Sequence, residues 1–127
     1  MRIKQIIIAV ICFTVLLIST AIAGAVKDIS GAEVDDILAN NTNIVVLDIR
    51  TPHEFTAGAI KGAVNIDYTA NNFEEQLAAF VKNNPSQHWL VYCRSGNRSG
   101  KAMPILTKQL NGTIYHVKKG YNDYPAK

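Results

Sequence analysis

Apolar residues fall along this chain in two rhythms. Ile44-Val45-Val46-Leu47-Asp48-Ile49, Ala63-Val64-Asn65-Ile66, His88-Trp89-Leu90-Val91-Tyr92 and Thr113-Ile114-Tyr115-His116-Val117 are compact runs that read as strands, with a shorter one at Lys27 to Ile29. Between them, apolar positions recur three and four residues apart: Val34, Ile37 and Leu38; then Phe73, Leu77, Phe80 and Val81; then Ala102, Ile105, Leu106 and Leu110. That spacing places them on single helix faces, where they serve as core. Alternating strand and helix predicts an α/β fold with parallel strands. The run from Ile44 to Ile49, broken by one acid, predicts a strand covered on both faces.

Polar punctuation sets the helix ends. Ser30-Gly31-Ala32-Glu33 is a capping box that opens a helix from about Gly31 to Ala39, which Asn40-Asn41 breaks. Thr51-Pro52-His53-Glu54 is a second box, with proline at the first helical position, giving one or two turns ended by Gly58. Asn72 caps the helix of Phe73, and Asn83-Asn84-Pro85 stops it; Asn111-Gly112 ends the last one. Pro104 lies inside that last helical pattern and removes a backbone donor, which predicts a bend.

The first 26 residues follow neither rhythm. Arg2 and Lys4 precede the apolar run Ile6 to Ile18, and small residues follow as far as Ala25. This layout predicts a secretory signal peptide at residues 1 to 23, with Ala21-Ile22-Ala23 as the cleavage site, followed by one domain at 24 to 127. The alternative is an uncleaved anchor, because Ile6 to Val26 carries no charge and is long enough to span a bilayer. Either outcome exports the domain, to the periplasm or to the outer side of the inner membrane. A chain of 127 residues has no room for a second core.

Removal of the leader also takes Arg2 and Lys4, leaving 11 basic against 10 acidic residues, a net charge of +1. So neutral a domain gives no reason to expect nucleic acid or an anionic membrane as partner, and membrane contact follows only if the leader is retained. Cys12 leaves with the leader, so Cys93 becomes the sole thiol and no internal disulfide can form.

Candidate chemistry gathers where the strand ending at Tyr92 gives way to Cys93-Arg94-Ser95-Gly96-Asn97-Arg98-Ser99. A free cysteine, with a pKa of roughly 8.5, is mostly protonated at neutral pH, and only its thiolate attacks. Three features here favour the anion: the guanidiniums of Arg94 and Arg98, the amides of a tight turn, and the positive end of a helix starting near Arg98 or Ser99. Gly96 supplies a positive φ, which Asn97 also tolerates. A buried structural cysteine would not need two arginines, a glycine and two serines beside it. The stretch therefore reads as a nucleophile in an anion cradle.

Asp48 sits near the carboxyl end of its strand, the edge where open α/β sheets bind ligands. It either orients the cysteine loop or Arg50, or caps the following turn. Glu54 closes its capping box, pairs with Arg50, or does both. His53, His88 and His116 lie on separate elements without ligand-like spacing, so no metal is expected.

The loop Cys93 to Ser99 closely resembles the active-site loop of the rhodanese family of single-domain sulfurtransferases. Asp48-Ile49-Arg50 through Glu54-Phe55 to Gly58-Ala59-Ile60-Lys61-Gly62-Ala63-Val64-Asn65-Ile66 resembles the family's second signature, with Ala59 in the place of a common histidine. The C-x4-R spacing from Cys93 to Arg98 differs from the C-x5-R of related phosphatases, whose wider amide ring admits phosphate. Near the end, Gly120 and Tyr124 are a thin version of the family's glycine pair and tryptophan, which predicts looser or differently packed last residues.

The resemblance implies a rhodanese-like α/β fold, a central parallel sheet of about five strands flanked by helices on both faces. It also implies sulfur transfer from a small anionic donor such as thiosulfate, through a Cys93 persulfide, to cyanide, a thiol or a protein cysteine. In that scheme the amides of Arg94, Ser95, Gly96, Asn97, Arg98 and Ser99 hold the persulfide, Arg94 and Arg98 attract the donor, and Asp48, Arg50 and Glu54 support the loop. No cofactor is required. Two other readings stay open: a phosphatase or arsenate reductase on the same fold, against which the C-x4-R spacing argues, and a sulfur-carrier or redox-sensing module that serves one protein partner.

Overall fold

The computed structural model describes residues 23–127. The predicted leader, apart from Ala23, lies outside the described residues. Among those described, no helix is long and apolar enough to cross a membrane.

Five strands form one parallel sheet: β1 (Ala25–Ile29), β2 (Ile44–Asp48), β3 (Val64–Asn65), β4 (His88–Tyr92) and β5 (Thr113–Val117), in the order β1-β5-β4-β2-β3. The connections carry helices α1 (Val34–Asn40), α2 (Pro52–Ala57), α3 (Phe73–Asn83) and α4 (Asn97–Gln109). All five strands of the sequence pattern are present. The first helix opens as a 3-10 turn at Gly31–Glu33, and the Glu33 carboxylate accepts from the Ser30 N–H at 2.7 Å.

Strand periodicity decides what faces where. Along β4 and just beyond it, Trp89, Val91 and Cys93 join Leu47, Ile49, Phe73, Leu77, Ala102 and Leu106 in the cluster under α3 and α4. Leu90 and Tyr92 point the other way, joining Val34, Val46, Ile60 and Tyr124. Because successive strand side chains alternate, the sulfur of Cys93 emerges on the α4 face. Burial of side chains such as Leu77, Leu90 and Leu106, each with no exposed surface, stabilises the two layers by about 1.5–3 kcal/mol apiece.

Pro104 does stand inside α4. The carbonyl it cannot serve belongs to Gly100, an exposed residue. Of the looser or differently packed ending expected, the segment Tyr121 to Tyr124 is packed, while Pro125 to Lys127 are exposed. Tyr124 is buried and its hydroxyl donates to Asp35 Oδ1 at 2.8 Å, while the Tyr121 and Asn122 N–H groups donate to the carbonyls of Cys93 and Arg94 at 2.8 and 3.0 Å.

Candidate active site

Cys93 leaves β4 at its carboxyl end, and the chain turns at Gly96 (φ 90°) straight into α4. The helix starts at Asn97, one residue before the earliest start expected, because Gly96 takes the left-handed position and Asn97 is free to be helical. No larger residue fits at Gly96, since a Cβ there would stand 1.8 Å from the Lys118 carbonyl oxygen.

The thiol is fully buried, yet its neighbours aim donors at it. The Gly96 N–H donates to Sγ at 3.1 Å and the Ser99 N–H at 3.4 Å, and the Ser99 hydroxyl lies 3.3 Å away. Burial by itself works against ionisation. The Ser99 hydroxyl and the amides of Ser99, Ser95 and Gly96 outweigh it, and the Cys93 thiol ionises below its ordinary range. Among the described residues Cys93 is the free cysteine, and no group of three metal-ligating side chains occurs.

The two loop arginines differ. Arg98 is bound by Glu54, with Nη1 and Nη2 donating to the two carboxylate oxygens at 2.7 and 2.9 Å. Arg94 is exposed and makes no ion pair among the described residues. Ser95 and Asn97 are also exposed, on the rim of the loop.

Glu54 therefore does not pair with Arg50, as one of the expectations from sequence had it. Its carboxylate is turned toward the loop by the capping box, in which the Glu54 N–H donates to Thr51 Oγ1 at 3.3 Å and the carboxylate accepts from the Thr51 N–H at 3.3 Å. Arg50 instead meets Asp48, from Nη2 to Oδ2 at 2.6 Å and from Nε to Oδ1 at 2.9 Å, with both side chains buried. Asp48 Oδ1 also accepts the Arg50 N–H at 2.9 Å, so it orients the arginine and caps the turn at once. The guanidinium continues to the Gly58 carbonyl at 2.6 Å and lies over the rings of Tyr121 and Tyr92, 4.4 and 5.4 Å from their centroids.

A cleft of about 290 Å³ opens between these parts, lined by Arg50, His53, Glu54, Gly58, Arg94 and Tyr121. A separate surface cleft, about 550 Å³, lies at the opposite end of the sheet around Asn43 and His88, far from the carboxyl edge. Sequence reasoning set His116 aside as a strand residue. The structure places its Nε2 2.7 Å from Ser99 Oγ and its Nδ1 3.0 Å from Asp28 Oδ1.

A parallel sheet that delivers a buried, readily ionised cysteine into an amide-lined loop defines a cysteine-loop α/β domain. Comparison with known proteins narrows the class. The family model described as Rhodanese-like domain matches residues 30–127, and the chain belongs to that family. It is 34% identical over 95 residues to the thiosulfate sulfurtransferase GlpE of Pseudomonas putida, covering 71% of this chain and 81% of that one. It is also 34% identical over 91 residues to the tRNA uridine(34) hydroxylase of Agrobacterium fabrum, where the match spans 68% of this chain but 28% of that longer protein. Among solved structures, the human single-domain sulfurtransferase TSTD1 superposes with a TM-score of 0.61 at 25% identity, covering 82% of this chain and 98% of that one.

Proposed function

We propose that this protein is a sulfurtransferase that carries sulfane sulfur as a persulfide on Cys93. The observation that carries the reading is the sulfur itself, buried at the end of β4 with the N–H groups of Gly96 and Ser99 and the Ser99 hydroxyl directed at it. Likeness over most of both chains to a thiosulfate sulfurtransferase and to a single-domain sulfurtransferase supports it. The hydroxylase relative supports it less, because the shared part is under a third of that protein.

With thiosulfate as donor, the Cys93 thiolate attacks the outer sulfur. A new S–S bond forms to Cys93, the bond to the sulfite sulfur breaks, and sulfite leaves with its electron pair. Cyanide or a thiolate then attacks the outer persulfide sulfur, takes it away, and returns Cys93 as thiolate. Fixed donors around the sulfur stabilise negative charge without reorganising as it forms. Arg94, exposed on the cleft and unpaired among the described residues, supplies the positive charge that draws an anionic donor in. The uncharged run ahead of the domain supports a site of action outside the cytosol, periplasmic or anchored at the inner membrane.

The test is thiosulfate:cyanide transfer with the wild-type protein and Cys93→Ser, together with intact mass after incubation with thiosulfate. Transfer that vanishes in Cys93→Ser, with one sulfur atom added to the wild type alone, supports the reading. A wild type that neither gains sulfur nor forms thiocyanate from any sulfane donor overturns it.

A further inference from the structure

Behind the sulfur runs a line of polar groups that leads out of the core. Cys93 Sγ lies 3.3 Å from Ser99 Oγ, Ser99 Oγ lies 2.7 Å from His116 Nε2, and His116 Nδ1 lies 3.0 Å from Asp28 Oδ1. Cys93 and Ser99 have no exposed surface and His116 only 6%, whereas the Asp28 side chain is half exposed. The line is built by the sheet: Asp28 and His116 are register partners on β1 and β5, and His116 follows Ile114 on the α4 face.

The hydroxyl of Ser99 has one proton and three acceptors within reach: Cys93 Sγ, His116 Nε2 and, at 3.2 Å, the Gly96 carbonyl. Asp28 accepts from Nδ1–H, so in a neutral ring Nε2 is bare. The Ser99 hydroxyl then donates along its shortest contact, to Nε2, and the sulfur keeps only its amide donors. When Nε2 carries a proton it donates to Ser99 Oγ instead, and the hydroxyl proton turns to the sulfur as a further donor. The first arrangement suits a neutral thiol and a neutral ring, the second a thiolate and an imidazolium.

We propose that His116 is a positioning residue for Cys93, taking up the thiol proton through Ser99 so that the resting nucleophile is a thiolate–imidazolium pair anchored by Asp28. The step is a transfer of protons only. The S–H bond breaks as its proton moves to Ser99 Oγ, and the hydroxyl proton of Ser99 moves to His116 Nε2. A neutral thiol and a neutral ring become an anion and a cation, with no change of oxidation state.

The charged and titratable groups around the ring are few. β1 contributes Asp28, the residue after β5 contributes Lys118, which is 3.9 Å from Asp28 Oδ2, and the loop contributes Cys93; α4 contributes Ser99 and, beside the sulfur, Arg98. The β4 register partner, Val91, is apolar.

The inference builds on Cys93 as the sulfur carrier, and a titration that needs no turnover tests it separately. Ultraviolet thiolate absorbance is followed against pH for the full-length protein, each variant being read against the same variant carrying Cys93→Ser, so that Cys12 cancels. His116→Gln, which can still hydrogen-bond but cannot take a proton, is expected to lower the thiolate fraction at pH 7 about tenfold, and Asp28→Asn about threefold.

Superimposable Cys93 titrations in wild type and in folded Asp28→Asn overturn the proposal. Asp28→Asn suffices for this test should His116→Gln fail to fold, because the Asp28 side chain is half exposed and the change keeps its shape. Shifted titrations in a protein that transfers no sulfur support the relay and sink the sulfurtransferase reading. Sulfur transfer with unshifted titrations does the reverse.

Discussion

Glu54 grips Arg98 across the mouth of the cysteine loop, two carboxylate oxygens against two guanidinium nitrogens at 2.7 and 2.9 Å. Paired forks of this kind fix direction as well as charge. The contact ties the first turn of α2 to the first turn of α4, and it neutralises one of the two positive charges that the loop offers to an anion.

Glu54→Gln keeps the size of the side chain and removes its charge. Freed from its partner, Arg98 is expected to lower the KM for an anionic sulfur donor about threefold, an effect that fades in high salt. The cap of α2 weakens at the same time, costing about 1–2 kcal/mol, or a fall of about 5 °C in melting temperature. Steady-state kinetics at two ionic strengths beside a thermal melt separate the two effects. An unchanged KM would show that Arg98 does not face the donor.

The same pair sets an acid limit. The Arg98 guanidinium, above all, holds the Glu54 carboxyl down to about 2 from an ordinary 4.5, with the Thr51 N–H and hydroxyl adding to it against the opposing effect of burial. A carboxyl whose folded pKa is depressed contributes stability that is complete above the unfolded value and is lost as pH falls through the folded one. Stability is therefore expected to drop between about pH 5 and 2, with Glu54→Gln showing a shallower fall over that window. Urea midpoints measured at steps of pH check it.

Asp48 and Arg50 stand in a different regime. Both side chains are buried, and the guanidinium also serves the Gly58 carbonyl, so removal of one partner leaves an uncompensated charge inside the protein. Asp48→Asn is expected to cost about 3–5 kcal/mol in urea unfolding. Because the pair lies with Tyr92 on the sheet face opposite the sulfur, the folded fraction of the variant should retain its Cys93 titration.

These elements differ in how far the chain's own pattern reveals them. The five strands, the capping box at Thr51 and Glu54, and the turn after Cys93 are local features, legible because period and cap chemistry need only neighbouring residues. The partner of Glu54 was not legible: Arg50 is close in sequence, and only the fold brings Arg98 across 44 positions to meet it. His116 was missed for the same reason. Its meaning depends on β1 lying beside β5, a pairing of the first strand with the last that no local signal announces. A hint existed in the alternation of β5, where a histidine falls on the face of Ile114, and a buried polar residue on a core face calls for a partner.

Two glycines four residues apart make the sharpest contrast. At Gly96, φ is 90° and a Cβ would lie 1.8 Å from the Lys118 carbonyl, so alanine must displace either the loop or the exit of β5. Gly96→Ala is expected to cost more than about 2 kcal/mol and to move the amide that donates to Cys93, raising the pH at which the thiolate forms. Gly100 is exposed in α4 with open space where its Cβ would be. Gly100→Ala is expected to stabilise the protein by about 0.5–1 kcal/mol, because alanine has less backbone freedom to lose in a helix, and to leave Cys93 unchanged. Urea unfolding and thiolate titration of the two variants side by side decide the matter. If Gly96→Ala keeps the wild-type titration, the Gly96 amide is not what stabilises the sulfur, and that role falls to Ser99 and the Ser95 amide.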